Sequence, residues 1–395
     1  MKAIFVSGID YESPIQIGDH HLARQFASAG WDVAFISLPV TPFHLFSKNR
    51  STIKRRFRNF FTGGVKYQYG DGSIWSYVPA SLIIPKNRSF LGKRIYNNWQ
   101  KTLFPQFEKL LTENNFDNVD LVYIRDPLQS YILNFVHWDY SIFRMADNDA
   151  GFDSYNQNYE QALRKLVKKV NLVLYSAKSL EERVTSLEPK DSMFFPNGVE
   201  LNRFKKTEVE KPKEFQSIPS PIVIYAGSID FWFDFDLVNY LCNNLPEVSF
   251  VIIGPNEEYA HKFIPKENLY LLGSISHEKI PNYLASATVG IIPFNSNKYP
   301  ELVNAINPLK LFEYLASGIP VVSSRWDEIE MINSPAILCD TFEEFTSKIK
   351  DSINQPVNQE IYDCFLENFD WKHIFQLLMK KIETDPLKPN DKMGC

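Results

Sequence analysis

Lys310 and Glu313 are the residues of this 395-residue chain whose types and spacing best suit binding chemistry. They stand three positions apart, so a helix containing both presents them on one face. The surrounding segment is Asn307-Pro308-Leu309-Lys310-Leu311-Phe312-Glu313-Tyr314-Leu315-Ala316-Ser317-Gly318-Ile319-Pro320-Val321-Val322. It predicts a turn, a short helix and a buried strand. Pro308 suits a first helical turn, where its missing N–H is not needed. Gly318 marks the helix stop and Pro320 prevents it from resuming. The helix start carries partial positive charge and unpaired N–H groups. An anion such as a diphosphate could dock there, with Lys310 as a second cation and Glu313 accepting ribose hydroxyls, and Asn307, Pro308 and Leu309 are further candidates for donor binding. Helix physics alone favours a plainer reading, a surface helix with a local Lys–Glu pair.

A second candidate group lies in the first half. Asp147 and Asp149, in Arg144-Met145-Ala146-Asp147-Asn148-Asp149, follow a predicted strand at alternate positions. Either carboxylate could deprotonate a hydroxyl, with Asp149 the preferred base. A helix cap or Asx turn explains the same residues, and a divalent-metal Asp-x-Asp site is a third option. Gly18-Asp19-His20-His21 opens the first helix. His20 or His21 could bond a phosphate or act as a base, or be ordinary histidines behind an Asp19 cap. In the second half, Gly227-Ser228, Gly254 and Gly273-Ser274-Ile275 each follow a predicted strand. Gly227 permits close backbone approach and Ser228 could donate to a phosphate oxygen, although each turn is equally a plain βα turn.

These groups need a scaffold that delivers strand ends to one rim. Ala3–Ser7, Asp19–Ala29 and Val33–Leu38 predict a strand, a helix and a strand, the usual opening of a doubly wound domain. Further strands are expected at Leu121–Ile124, Ile142–Met145, Leu172–Ser176 and Met193–Phe195, with helices at 97–112, Tyr159–Val170 and Leu180–Ser186. Pro196-Asn197-Gly198-Val199 is a turn signal, and the polar stretch 205–220 reads as a linker. A second alternating series starts at Ile222, with strands Val248–Ile253, Tyr270–Leu272, Val289–Ile292, Val321–Ser323 and Ala336–Cys339. Its helices are expected at Phe235–Asn244, Ile280–Ala285, Pro308–Ala316 and Phe342–Ile353. The fold class is therefore α/β, with residues 1–198 and 199–366 as two Rossmann-like domains and an amphipathic helix over residues 367–383.

Composition is that of an ordinary globular protein, with 44% hydrophobic and 23% charged residues. The net charge of −5 argues against wholesale nucleic-acid binding. Cys242, Cys339, Cys364 and Cys395 form no CxxC or Cys/His pattern, so no metal is expected and the thiols fit a reducing compartment. The first strand is followed by no Gly-x-Gly-x-x-Gly, which weakens a dinucleotide-cofactor reading. The N-terminus lacks a secretory pattern and no window suits a membrane span, so a cytoplasmic location is expected.

The order of strand–Gly turn, Gly-Pro strand end, Leu-Gly-Ser loop and Pro-x-Lys-x-x-Glu helix resembles nucleotide-sugar glycosyltransferases of GT-B fold over the whole second half. The Asn-Pro-x-Lys-Leu-x-Glu-Tyr form is similar to the branch holding the membrane-associated glucuronosyltransferases of xanthan-type polysaccharides. Many relatives carry an acid eight positions before the Glu, where this chain has Ala305. The resemblance implies two Rossmann-like domains facing a cleft, with the terminal helix crossing back onto the first. It implies a metal-independent hexosyltransferase without cofactor that uses a nucleotide-sugar, UDP-linked by expectation, as co-substrate. Glu313 would hold the ribose, Lys310 the diphosphate, and Gly273, Ser274 and Ile275 the base. Gly18 and its two histidines would approach the diphosphate and acceptor. The acceptor expected is a glycan or lipid-linked saccharide in polysaccharide or cell-envelope biosynthesis. A nucleotide-sugar epimerase of the same fold and a non-catalytic sugar-nucleotide or glycan-binding relative are the alternatives.

Residues Phe43–Phe61 interleave Lys48, Arg50, Lys54, Arg55, Arg56 and Arg58 with Phe46, Ile53, Phe57, Phe60 and Phe61. At helical spacing this gives an apolar stripe among cations. It suits peripheral contact with an anionic membrane at the inner face, or a helix packed on its own domain with a solvated basic side.

Overall fold

The computed structural model describes residues 1–46, 50–84, 98–104, 106–152, 155–205, 210–255 and 258–386. The chain divides into two compact units, Met1–Phe195 with the chain from Phe375 onward, and Pro196–Ile374.

The first unit is built on an eight-stranded sheet. In chain order its strands are β1 (Lys2–Ser7), β2 (Asp32–Ser37), β3 (Val65–Tyr69), β4 (Gly72–Tyr77), β7 (Asn118–Ile124), β8 (His137–Met145), β9 (Leu172–Tyr175) and β10 (Ser192–Phe194), with β5 (Ala80–Ser81) and β6 (Leu103–Phe104) forming a separate two-stranded ladder. The sheet order is β10-β9-β8-β7-β1-β2-β4-β3. All neighbours are parallel except β3 and β4. Parallel strands covered on both faces must be apolar along their length, and residues 3–6 of β1 are fully buried. The order reverses between β1 and β7, the place where open α/β sheets present a crevice at their strand ends.

The second unit has six parallel strands, β11 (Ile222–Ala226), β12 (Ser249–Ile253), β13 (Leu269–Gly273), β14 (Val289–Ile292), β15 (Val321–Ser324) and β16 (Ile337–Cys339). Their order is β13-β12-β11-β14-β15-β16. This is the dinucleotide-fold arrangement, with its reversal between β11 and β14. The Leu309–Ala316 helix follows β14 in the chain and leads into β15. Val199 pairs with the chain around Asp370, donating to the Phe369 carbonyl at 2.8 Å and accepting from the Trp371 N–H at 3.1 Å.

Several expected elements are revised. The helix expected over 97–112 is a 3-10 turn at Trp99–Thr102, strand β6 and a helix at Phe107–Glu113. Pro105 breaks the periodicity in the sequence, and both it and Asn97 lie outside the described residues. Pro308 is the N-cap of its helix, with ψ 118°, rather than a helical residue. The terminal helix runs Trp371–Thr384, after a 3-10 turn at Glu367–Phe369. From Phe375 it belongs to the first unit, where the Phe375 ring meets Phe26 edge-on at 4.9 Å and Lys381 pairs with Asp191 at 2.5 Å. Of the linker expected at 205–220, residues 206–209 lie outside the described residues; the rest includes a 3-10 turn at Lys213–Gln216.

Candidate functional site

In the second unit the three glycine turns meet at one rim of the sheet. Gly227 donates to Ile253 O, and Gly254 donates to Gly273 O, each at 2.9 Å. The two turns touch so closely that a Cβ on Gly254 would come within 2.0 Å of the Gly227 carbonyl. Lys310 lies over the same turn, since a Cβ on Gly227 would sit 2.8 Å from its Cε and 3.1 Å from its Nζ. Glycine is required at Gly254, where backbone fills the side-chain space, whereas a Cβ on Gly227 would meet side chains, nearest of them the end of Lys310.

The Lys310 helix is held in place by Tyr314. Its hydroxyl accepts from the Ala226 N–H at 2.8 Å, and its ring lies where a side chain on Gly290 would otherwise stand. One turn earlier, the Lys310 ammonium lies 5.3 Å from the Tyr225 ring centre and 4.8 Å from that of Phe294. No carboxylate among the described residues comes within ion-pair distance of it. Burial therefore lowers its pKa from the usual 10.5 to about 8, with Glu313 acting in the opposite direction. A cation flanked by ring faces, at the sheet's reversal point and beside two glycine turns, has the charge and setting to receive an anion.

Glu313 is buried, and its Oε1 lies 2.8 Å from His277 Nε2. Asn307 is 3% exposed and its polar groups bind within the unit. Its Oδ1 and carbonyl accept from the Asn197 N–H and side-chain amide at 3.2 and 2.7 Å, and its Nδ2 donates to the buried Glu328 at 3.2 Å. It braces the helix entry and is removed from the ligand-contacting set. Ser228 presents its carbonyl to the Tyr225 hydroxyl. Leu309 is half-buried, Ser274 is exposed, and Ile275 packs against the unit's core.

In the first unit, Gly18 starts the Gly18–Ser28 helix. His20 is fully buried. Its Nδ1 accepts from the Ile17 N–H at 3.2 Å, which makes Nε2 the donor to the Asp10 carbonyl at 3.1 Å. Burial pushes its pKa down to about 4. Its one ring lone pair, on Nδ1, is taken by the Ile17 N–H, and burial disfavours the protonated ring, so the expectation of His20 as a base is withdrawn. His21 is buried, with Nδ1 at 2.9 Å from Arg24 Nη2. Asp19 is more than a cap: it accepts from Ser7 Oγ at 2.6 Å and Tyr123 Oη at 2.7 Å, and lies 3.9 Å from the buried Arg144 guanidinium.

The two acidic residues after β8 differ. Asp147 is paired with Arg125 at 2.6 Å. Asp149 accepts from the Tyr159 hydroxyl at 2.8 Å, and burial raises its pKa to about 6 against the lowering effects of Arg125 and Tyr159. A carboxylate raised to that range is a usable base near neutrality.

Two family models match the chain. The N-terminal domain of the glucuronosyltransferase GumK covers residues 5–176, and a glycosyl transferase-like family covers residues 236–380. The fold is that of sucrose-phosphate synthase from Thermosynechococcus elongatus, with TM-score 0.69 and 12% identity over 96% of this chain and 97% of that one. The chain belongs to the GT-B-fold glycosyltransferases. Anabaena HepE, solved with UDP and glucose, shares the fold with TM-score 0.66 and 12% identity over 97% of this glycosyltransferase and all of HepE. The glycosyltransferase TuaH of Bacillus subtilis (strain 168), described as acting in teichuronic acid biosynthesis, is 23% identical over 269 residues. That match spans 62% of this chain and 66% of the relative.

Sequence reasoning about this glycosyltransferase passed over His277, Arg125 and Tyr159. Arg125 carried a signal, a cation directly after the apolar run Leu121–Ile124. His277 lies four residues beyond Gly273, and only the fold reveals its approach to Glu313.

Proposed function

We propose that this glycosyltransferase moves a sugar from a UDP-sugar to a hydroxyl of a glycan or lipid-linked saccharide during cell-envelope polysaccharide synthesis. The observation that carries the reading is the Lys310 ammonium, unneutralised by any described carboxylate and set over Gly227 at the β11/β14 reversal. It suits the diphosphate of the donor, with Glu313 one turn on to take the ribose hydroxyls. Asp149 of the first unit is the base for direct inversion. The acceptor hydroxyl gives its proton to Asp149 as its oxygen bonds the anomeric carbon. The bond from that carbon to the diphosphate breaks, and the diphosphate leaves with the electron pair. Lys310 stabilises the charge that develops on it. UDP and glucose bound to HepE, and TuaH's stated role, support donor and pathway. The test is UDP release across a panel of UDP-sugars, with and without lipid extract as acceptor. Acceptor-dependent release is expected; conversion of donor alone to an isomeric sugar nucleotide, or UDP binding without turnover, would refute the reading.

Membrane contact belongs to the same proposal. The Arg50–Phe61 helix exposes Arg50, Lys54 and Arg58. Phe61 is 78% exposed and Phe104 66%, and Phe60 lies between them, 5.1 and 6.4 Å from their ring centres. Exposed rings among cations suit an anionic lipid surface. Arg55 and Arg56 do not belong to that face, because both bind the buried Asp10, at 2.8 and 2.9 Å. Lys48 lies outside the described residues. No helix among the described residues is long and apolar enough to cross a membrane. Loss of vesicle binding is expected on changing Phe57, Phe60 and Phe61 to Ser; unchanged binding would remove this segment from the proposal.

A further inference from the structure

Tyr159 lies in the first turn of the Gln157–Lys169 helix, and that turn is unusually well fixed. Asn156 caps it, its Oδ1 accepting from the N–H groups of Asn158 at 3.0 Å and Tyr159 at 3.1 Å. Glu160, the next residue, accepts from Tyr155 Oη at 2.7 Å and pairs with Arg164 at 2.6 Å and with Arg183. The Tyr159 hydroxyl is thereby aimed at Asp149 Oδ2, and among the described residues nothing bonds Oδ1. Across the same loop, Arg125 comes from the end of β7 and binds Asp147 Oδ2. The groups facing Asp149 are therefore Arg125 and Asp126 from the β7 end, Asp147 from its own loop and Tyr159 from the helix.

We propose that Tyr159 is the positioning residue of the reaction, holding Asp149 by Oδ2 so that Oδ1 takes the acceptor's proton, and that the Arg125–Asp147 pair tunes the charge beside it. This rests on the reading of Asp149 as the base. Asp147 absorbs part of the arginine's field, so Arg125 keeps Asp149 ionised without making it too weak a base. Tyr159 cannot itself supply the proton sink, because burial and the neighbouring Asp149 raise its pKa well above the ordinary tyrosine value. It stays a donor throughout the working range. The bond it gives orients a carboxylate that stands in a short 3-10 turn, Asp149–Gly151.

The test has two readouts. The first is the carboxyl titration of Asp149, followed by carbon-13 NMR in aspartate-labelled protein, which needs neither donor nor acceptor. Tyr159→Phe removes a bond that favours the anion, so Asp149 should titrate at higher pH. Asp147→Asn frees the Arg125 field, so it should titrate at lower pH. The second is UDP release from the active UDP-sugar with lipid extract. Tyr159→Phe should lower kcat about tenfold at pH 7 with the donor KM unchanged, and should move the acid limb upward. An unmoved titration in both variants would overturn the proposal. Asp149→Asn with wild-type turnover would instead overturn the base assignment, while the titration shifts would still report the positioning. Should the tyrosine variant fail to fold, the downward shift in Asp147→Asn on its half-buried loop carries the test.

Discussion

Replacement of Lys310 by methionine tests the donor site most directly, because the structure sets the size of the effect. The ammonium is held by ring faces and by the distant field of Glu313, and burial brings its pKa from 10.5 to about 8. At 1.36 kcal/mol per decade, keeping that proton costs about 3 kcal/mol. A diphosphate that restores the ordinary lysine value returns this as binding energy, up to about 300-fold in affinity. Solvent screening at a half-buried group lowers the expected loss in Lys310→Met to about 30- to 300-fold. The sign follows from the lowered pKa. The charged form prevails below about pH 8 and is lost above it, so wild-type affinity for UDP should be level near pH 7 and fall as pH passes 8. The methionine variant should bind weakly with no such fall. Titration calorimetry with UDP between about pH 7 and 9 measures both. A variant within threefold of wild type, or a wild type whose affinity ignores pH over this range, would refute the reasoning.

The remaining predictions concern the same rim. Glu313→Gln should weaken UDP about tenfold while leaving pyrophosphate affinity unchanged, since a charge-assisted bond to ribose contributes about 1.5 kcal/mol or more; equal losses for both ligands would place Glu313 elsewhere. Gly227→Ala meets side chains and no backbone, chiefly the flexible end of Lys310 with the Tyr225 hydroxyl 3.3 Å away, so the fold should persist while UDP affinity falls about tenfold by displacement of the ammonium. Gly254→Ala meets the Gly227 carbonyl, which is backbone, and should destabilise the protein by about 2 kcal/mol, seen as a Tm lower by about 5 °C. Identical behaviour of the two alanine variants in thermal unfolding would contradict the geometry.

Strand periodicity in the sequence marked most of the sheets, because parallel strands buried on both faces leave short apolar runs that turn residues delimit. The β3–β4 hairpin was not legible in that way. Its polar, half-exposed first strand, Val65-Lys66-Tyr67-Gln68-Tyr69, lacks an apolar run and pairs antiparallel at a sheet edge. The glycine turns and the Lys310 helix were readable from spacing, whereas Asn307 looked like a ligand contact because its amide partners, Asn197 and Glu328, lie 110 and 21 residues away. His20 failed for a similar reason. Burial decides whether a histidine titrates, and nothing adjacent in the chain reveals that the Asp10 carbonyl and Ile17 N–H consume its ring. The contrast between Asp147 and Asp149 likewise needed Arg125 and Tyr159, brought in from other elements.

The commitment of Arg55 and Arg56 to Asp10 has a consequence for adhesion. Of the cations described in the Arg50–Phe61 helix, three remain outward, worth about 3 kcal/mol together on an anionic leaflet. Inserting the rings of Phe61 and Phe104 contributes a comparable amount, at about 2 kcal/mol for each phenyl group. Adhesion through this face would thus be a joint product of charge and wedge, only partly salt-sensitive, with the two inward arginines serving as rivets between the helix and the loop that follows the first strand.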